Sequence, residues 1–301
     1  MTGEPIQNQT QGETCANCGA PLSGDFCAAC GQSREDIRRP AWSLVTDTLD
    51  GLLSWDGRIL STYRHLFTRP GQVARDYMDG KRQSFTPPVR LYLIVSLIFF
   101  AAISFSGIRI VGVDITLDEA DEVGVFVSVF QPPRQGENVE LTAEQEQSIL
   151  DFIETNGIAD QWRDVTLRAI NHPELMEDQA SAASSQAMIL MVIVFALLCA
   201  LMHPRRRMIE HAIYALYFHA ALLLPLATIV IVGVYTRLPV WAAFTLLGSS
   251  ILVLNLGVAL FDRGFYGSSW FGSIVRSVVI CMAYATCAGF VAIGLILWTA
   301  L

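Results

Sequence analysis

Leu91-Tyr-Leu-Ile-Val-Ser-Leu-Ile-Phe-Phe100-Ala-Ala-Ile-Ser-Phe-Ser-Gly-Ile108 runs for eighteen residues without a charge. At about 1.5 Å per helical residue it can cross most of a hydrocarbon layer of about 30 Å. Working outward, four further apolar runs appear, at Ala187–Met202, Ala212–Tyr235, Val240–Phe261 and Ser277–Leu301. With flanking residues included, the spans are expected at 89–108, 186–203, 210–235, 240–261 and 275–301. Pro225 falls inside the third, where neighbouring helices can satisfy the carbonyl it frees, so it should kink that span without ending it. Only Thr236, Arg237, Leu238 and Pro239 separate the third run from the fourth, which makes those two a tight antiparallel hairpin. Composition agrees, since 52% of the 301 residues are apolar and 16% charged, against about 25% charged in an ordinary soluble domain.

Charge is segregated along the chain. Residues 1–90 hold ten bases and ten acids, whereas 109–185 hold sixteen acids and four arginines, a local charge of −12 within a total of −8. Lys and Arg near span ends mark the cytoplasmic face. Lys81, Arg82 and Arg90 precede the first span, Arg205, Arg206 and Arg207 separate the second from the third, and Arg263 and Arg276 separate the fourth from the fifth. The N-terminus and these loops are therefore expected inside, with 109–185 and the C-terminus outside. No apolar stretch precedes Leu91, so the first span is expected to direct insertion without a cleaved signal peptide. The acidic balance argues against a nucleic-acid binder.

The cysteines divide by chemistry. Cys199, Cys281 and Cys287 sit within spans and read as apolar filler. The other four form Cys15-Ala-Asn-Cys18-Gly19 and Cys27-Ala-Ala-Cys30-Gly31, two copies of a knuckle whose glycine can take positive φ and let backbone N–H groups approach sulfur. Four thiolates suit a tetrahedral Zn²⁺. Two disulfides are the competing reading, which the charge pattern disfavours by placing this segment in the reducing cytoplasm. A ribbon over 13–34 cannot bury a core of its own, so metal binding should supply its folding free energy. A closed shell of four cysteines leaves no open coordination position, so the zinc is structural, and the few bases nearby favour protein contact over nucleic acid.

Residues 1–12 read as a disordered tail, and 40–88 as cytoplasmic or interfacial amphipathic helices. Trp42, Val45, Leu49 and Leu52 keep helical spacing. A second helix, from Asp56, carries Ile59, Leu60, Tyr63, Leu66 and Phe67 and stops at Pro70-Gly71, and a third covers Val73–Met78 and stops at Gly80. These pieces could lie in the membrane interface or pack against the spans. The pattern Arg69-Pro70-Gly71, Tyr77, Gly80-Lys81-Arg82, Pro88, Arg90-Leu91-Tyr92, Ser96 and Phe99-Phe100, with the ribbon upstream, resembles the DUF3667 family of bacterial membrane proteins of undefined function. Pro204-Arg205-Arg206 through Glu210-His211 to His219 is similar to the family's segment entering the third span. The resemblance covers residues 15–100 and, more loosely, the later spans. It implies an inner-membrane protein with a cytoplasmic zinc ribbon and brings no activity with it.

Polar groups inside spans are functional candidates. Glu210, His211 and His219 at the start of the third span could line a metal, haem, proton or headgroup site. Against this, Glu210 could pair with Arg206 or Arg207, with His211 at the interface and His219 alone buried. Asn255 reads as interhelical glue, and Asp262 with Arg263 as an interfacial pair. There is no nucleophile elbow, phosphate loop, paired-carboxylate motif or HExxH. In 109–185, Val123–Phe130 reads as a buried strand ended by Pro132-Pro133, with Ile108–Ile115 as its antiparallel partner. Thr142-x-x-Gln145 caps a helix, and a further helix surrounds Trp162.

The expected fold is thus an all-α membrane bundle of five spans with an N-terminal zinc ribbon and a small periplasmic α+β insertion. The function expected from it is that of a non-enzymatic adaptor or accessory subunit, with a protein partner, in the bacterial inner membrane. The alternative is a membrane enzyme or transporter using Glu210, His211, His219, Asn255 and Asp262, and a third reading is zinc or redox sensing by the ribbon.

Overall fold

A computed structural model of the protein describes residues 14–34, 57–117, 123–133, 147, 151, 173–236 and 239–300. In chain order these form α1 (Arg58–Thr68), α2 (Gln72–Met78), α3 (Pro88–Phe105), the strands β1 (Arg109–Leu117) and β2 (Val123–Gln131), α4 (Pro173–Met202), α5 (Met208–Tyr235), α6 (Val240–Tyr266) and α7 (Trp270–Ala300). Among the described residues, five stretches are long and apolar enough to cross a membrane: Pro88–Phe105, Gln179–Met202, Met208–Tyr235, Phe244–Tyr266 and Trp270–Leu295. Phe105, Leu201, Phe244, Leu252 and Phe290 stand exposed along them, an apolar surface that lipid tolerates and water does not. The chain is a multi-pass membrane protein.

Three boundaries differ from expectation. The second span was expected to begin at 186, with 109–185 outside it, but α4 already starts at Pro173. Proline suits a first helical position because its missing N–H would have no partner there. The run that follows, with Leu175, Met176, Ala180, Ala182 and Ala183 among its residues and no Gly or Pro, propagates a helix that the span has already nucleated. The fourth and fifth spans were expected to be joined by a loop carrying Asp262, Arg263 and Arg276. Instead α6 continues to Tyr266 and α7 begins at Trp270, so all three charges are helical. Charge ends an apolar run without ending a helix, and the break comes at Gly267, with φ +70. Ser269 then caps α7 by accepting the Gly272 N–H at 3.2 Å, as an N-cap serine does. The third span begins two residues early, at Met208, and Pro225 lies inside a continuous α5.

The chain divides into two compact units. The first gathers Met1–Ser96, Ala196–Leu222 and Ile251–Ile280. Within it α1 buries Ile59, Thr62 and Leu66, one face at helical spacing. The turn into α2 is Pro70-Gly71, and Gly71 has φ +75. A Cβ on Gly71 would strike the Phe261 carbonyl, and one on Gly264 would strike the Pro70 carbonyl. The turn thus rests on the bare backbone of α6. Tyr217 of α5 donates to the Thr86 carbonyl at 2.7 Å, and the Thr86 N–H donates to Thr62 Oγ1 at 2.9 Å. These bonds tie the segment ahead of the first span to α1 and α5.

The second unit holds Leu97–Phe195, Leu223–Ser250 and Cys281–Leu301. There β1 and β2 pair antiparallel, with Arg109 opposite Gln131, Val111 opposite Val129 and Leu117 opposite Val123, as the alternating pattern led one to expect. The Tyr235 hydroxyl donates to the Ser106 carbonyl. The expected tail at 1–12, the helix carrying Trp42, Val45, Leu49 and Leu52, the helix capped by Thr142 and the helix around Trp162 lie outside the described residues.

Candidate functional site

The two cysteine knuckles are built by the same backbone hydrogen bonds. In the first, the Cys15 N–H donates to the Ala20 carbonyl and the Gly19 N–H to the Cys15 carbonyl, both at 2.8 Å. In the second, the Cys27 N–H donates to the Gln32 carbonyl at 2.9 Å and the Gly31 N–H to the Cys27 carbonyl at 2.8 Å. Gly19 and Gly31 have φ of +74 and +73, the left-handed conformation that a side chain would resist. Short bridges between Thr14 and Pro21 and between Phe26 and Ser33 close each loop.

This geometry brings all four thiols together. Cys15 Sγ lies 3.6 Å from Cys30 Sγ and Cys18 Sγ 3.6 Å from Cys27 Sγ, and all four sulfurs fall within 4.8 Å of one another. A tetrahedral ion with metal–sulfur bonds of about 2.3 Å would hold its sulfurs about 3.8 Å apart, so the residues fit such an ion. A disulfide needs about 2.05 Å, and none of the four cysteines is in one. Backbone N–H groups of Cys30 and Ala29 bring the Cys27 thiol down to about 7. Cys18 goes the other way. The Ala20 backbone pulls it down, but desolvation and hydrogen bonds with the thiols of Cys27, Cys30 and Cys15 outweigh this and raise it to about 12. A cation entering the cluster would displace the protons that remain.

The polar residues of the spans follow a different arrangement from the one expected. Glu210 does meet Arg206, at 3.4 Å, and accepts the Arg207 N–H at 3.3 Å, so it completes the first turn of α5. His211 is not at a wet interface, being fully buried, with Nδ1 2.6 Å from the Tyr266 hydroxyl. Its Nε2 is buried with no hydrogen-bond partner among the described residues. His219 is buried as well, and its Nδ1 donates to the Ala215 carbonyl of its own helix at 2.8 Å. Asn255 bonds the Ile251 carbonyl of its own helix and bridges nothing in that contact.

Asp262 does not pair with Arg263. It is 1% exposed and accepts from His203 Nε2 at 2.7 Å, Ser273 Oγ at 2.7 Å and Arg276 Nη2 at 3.0 Å. Arg263 turns away and stacks its guanidinium 4.5 Å over the Trp270 ring, a cation–π contact. The His203 ring lies 3.8 Å from that of Tyr266, nearly parallel to it. His203, Tyr266, Ser273 and Arg276 are thus members of a partly buried polar group around Asp262 that sequence reasoning missed. Their types gave no signal, because each is ordinary at the end of a span. Among the described residues, only the four cysteines form a group of three or more ligand-type side chains close enough to share an ion. Glu210, His211 and His219 do not.

A family model described as "Protein of unknown function (DUF3667)" matches residues 56–100, which takes in α1, α2 and most of α3. No curated protein and no solved structure matches the chain.

Proposed function

We propose that this is a multi-pass protein of the bacterial inner membrane, N-terminus inside and C-terminus outside, that holds a structural Zn²⁺ on Cys15, Cys18, Cys27 and Cys30. It acts as a non-enzymatic adaptor or accessory subunit, and the ribbon is the part that meets a protein partner. The observation that carries this reading is the four-sulfur cluster, whose ligands would all be protein and which leaves a bound ion no open position for chemistry. Phe26 supports the contact role. It stands 67% exposed on a ribbon too small to have a core, where a partner would cover it.

The test is purification in mild detergent with elemental analysis and mass spectrometry of co-purifying proteins on one sample. One zinc per chain is expected. Partners should be lost both from the Cys15→Ser/Cys18→Ser double variant and from Phe26→Ala, which keeps its metal. If Phe26→Ala and the double variant retain every partner, the adaptor reading falls; if the sample carries no zinc, the metal assignment falls.

A second reading, a membrane enzyme or transporter, is favoured by the buried His211 and Asp262 with the half-buried His203 and Tyr266 between them, since ionisable side chains on spans are costly unless they serve a purpose. It requires that His211→Ala abolish a cellular phenotype at unchanged protein level. A normal phenotype in that variant removes it.

A further inference from the structure

The two knuckles repeat one another and yet differ at two places. Asn17 stands where the second knuckle has Ala29, and Gln32 stands where the first has Ala20. Since each knuckle closes with the same backbone bonds, alanine suffices at both places for the knuckle itself. The two amides have another partner, and it is the same one: the segment 80–84.

Gln32 is 3% exposed. Its Nε2 donates to the Gly80 carbonyl at 2.6 Å, and its Oε1 accepts the backbone N–H groups of Arg82 at 3.2 Å and Gln83 at 3.3 Å. The Arg82 N–H is shared with the Gly80 carbonyl at 2.9 Å. Asn17 Oδ1 accepts both the N–H and the hydroxyl of Ser84, at 3.1 and 2.9 Å. Segment 80–84 belongs to neither helix nor strand, so the ribbon's side chains satisfy backbone groups that regular structure leaves open. Gly80, with φ +99, turns the chain into this segment, and Pro88 starts the first span just beyond it. The Arg82 guanidinium sits 5.6 Å over the Tyr77 ring, which meets the Tyr217 ring edge-on at 6.0 Å.

We propose that Asn17 and Gln32 form a two-point clamp through which the metal-loaded ribbon holds residues 80–84, so that occupancy of the cysteine site sets the order of the chain entering the first span. The proposal rests on the metal reading above. The two amides sit in different knuckles, and the ion is what fixes one knuckle against the other. With the ion in place both arms are pre-organised, and the second bond forms at high effective concentration once the first is made. Without it each arm would have to order the ribbon at its own entropic cost.

The test is hydrogen exchange on the full chain in nanodiscs, read at the Gln83 and Ser84 amides, with zinc bound and after chelation verified by elemental analysis. Chelation should speed exchange at both amides by about tenfold or more, while amides inside α1 keep their rates. With metal still bound, Gln32→Ala should expose the Gln83 amide and Asn17→Ala the Ser84 amide, whereas Asn17→Asp, which keeps the acceptor, should leave Ser84 protected. A chain that takes up no metal overturns the zinc reading and the metal dependence with it. A chain that binds and releases metal while Gln83 and Ser84 exchange at one rate overturns the clamp alone, as does unchanged exchange in both alanine variants.

Discussion

Asp262 uses both carboxylate oxygens, one on His203 and the other on Ser273 and Arg276, and so joins the end of α6 to the start of α7 across the break at 267–269. The pair with Arg276 is largely buried, and removing one partner of such a pair leaves the other charge stranded. Asp262→Ala should therefore lower stability by about 3–5 kcal/mol, and Ser273→Ala, which removes one neutral donor, by about 1 kcal/mol. Thermal unfolding in detergent should rank them in that order; equal shifts would mean that Arg276 finds another anion. Tyr217 permits a cleaner test, since Tyr217→Phe keeps the ring and strips the Thr86 carbonyl of its buried donor. A loss of about 1–3 kcal/mol is expected, read in the same assay.

At the scale of elements, the joint between the α1–α2 turn and α6 depends on the absence of two side chains. Glycine in a helix ordinarily costs about 0.8–1 kcal/mol relative to alanine, so an alanine substitution should stabilise unless something stands in the way. At Gly257 nothing lies within 4 Å of the added Cβ, whereas at Gly264 the Pro70 carbonyl does. Gly257→Ala should leave the melting temperature unchanged or raised, and Gly264→Ala, on the same helix, should lower it. If both raise it, the turn does not rest on α6. Ser269→Ala removes the cap of α7 and should cost about 1 kcal/mol.

For the molecule as a whole, the charge segregation makes a topological forecast. A periplasm-dependent reporter enzyme should be active when fused after residue 133 or after 301 and silent after 207; activity after 207 would invert the orientation. Five helices long and apolar enough to cross a membrane, and a cluster of four cysteines able to hold a metal ion, were legible in the sequence because each is a local property. The length of an apolar run decides whether it can cross lipid, and the spacing of cysteines around a glycine decides whether two sulfurs can face one ion. The β1–β2 hairpin was legible for the same reason, from alternation alone. Helix ends were less so, because the fourth and fifth spans extend past their apolar runs, the fourth as far as the break at Gly267 and the fifth back to its cap at Ser269. What only the tertiary structure decided is which polar groups meet. His203 and Asp262 are 59 residues apart, and Gln32 reaches Gly80 over 48. Side-chain type along a helix does not say which face packs inward or against what. Those pairings, and the bare-backbone contact of Gly264 with Pro70, follow from how the elements pack, and packing couples residues that the chain keeps far apart.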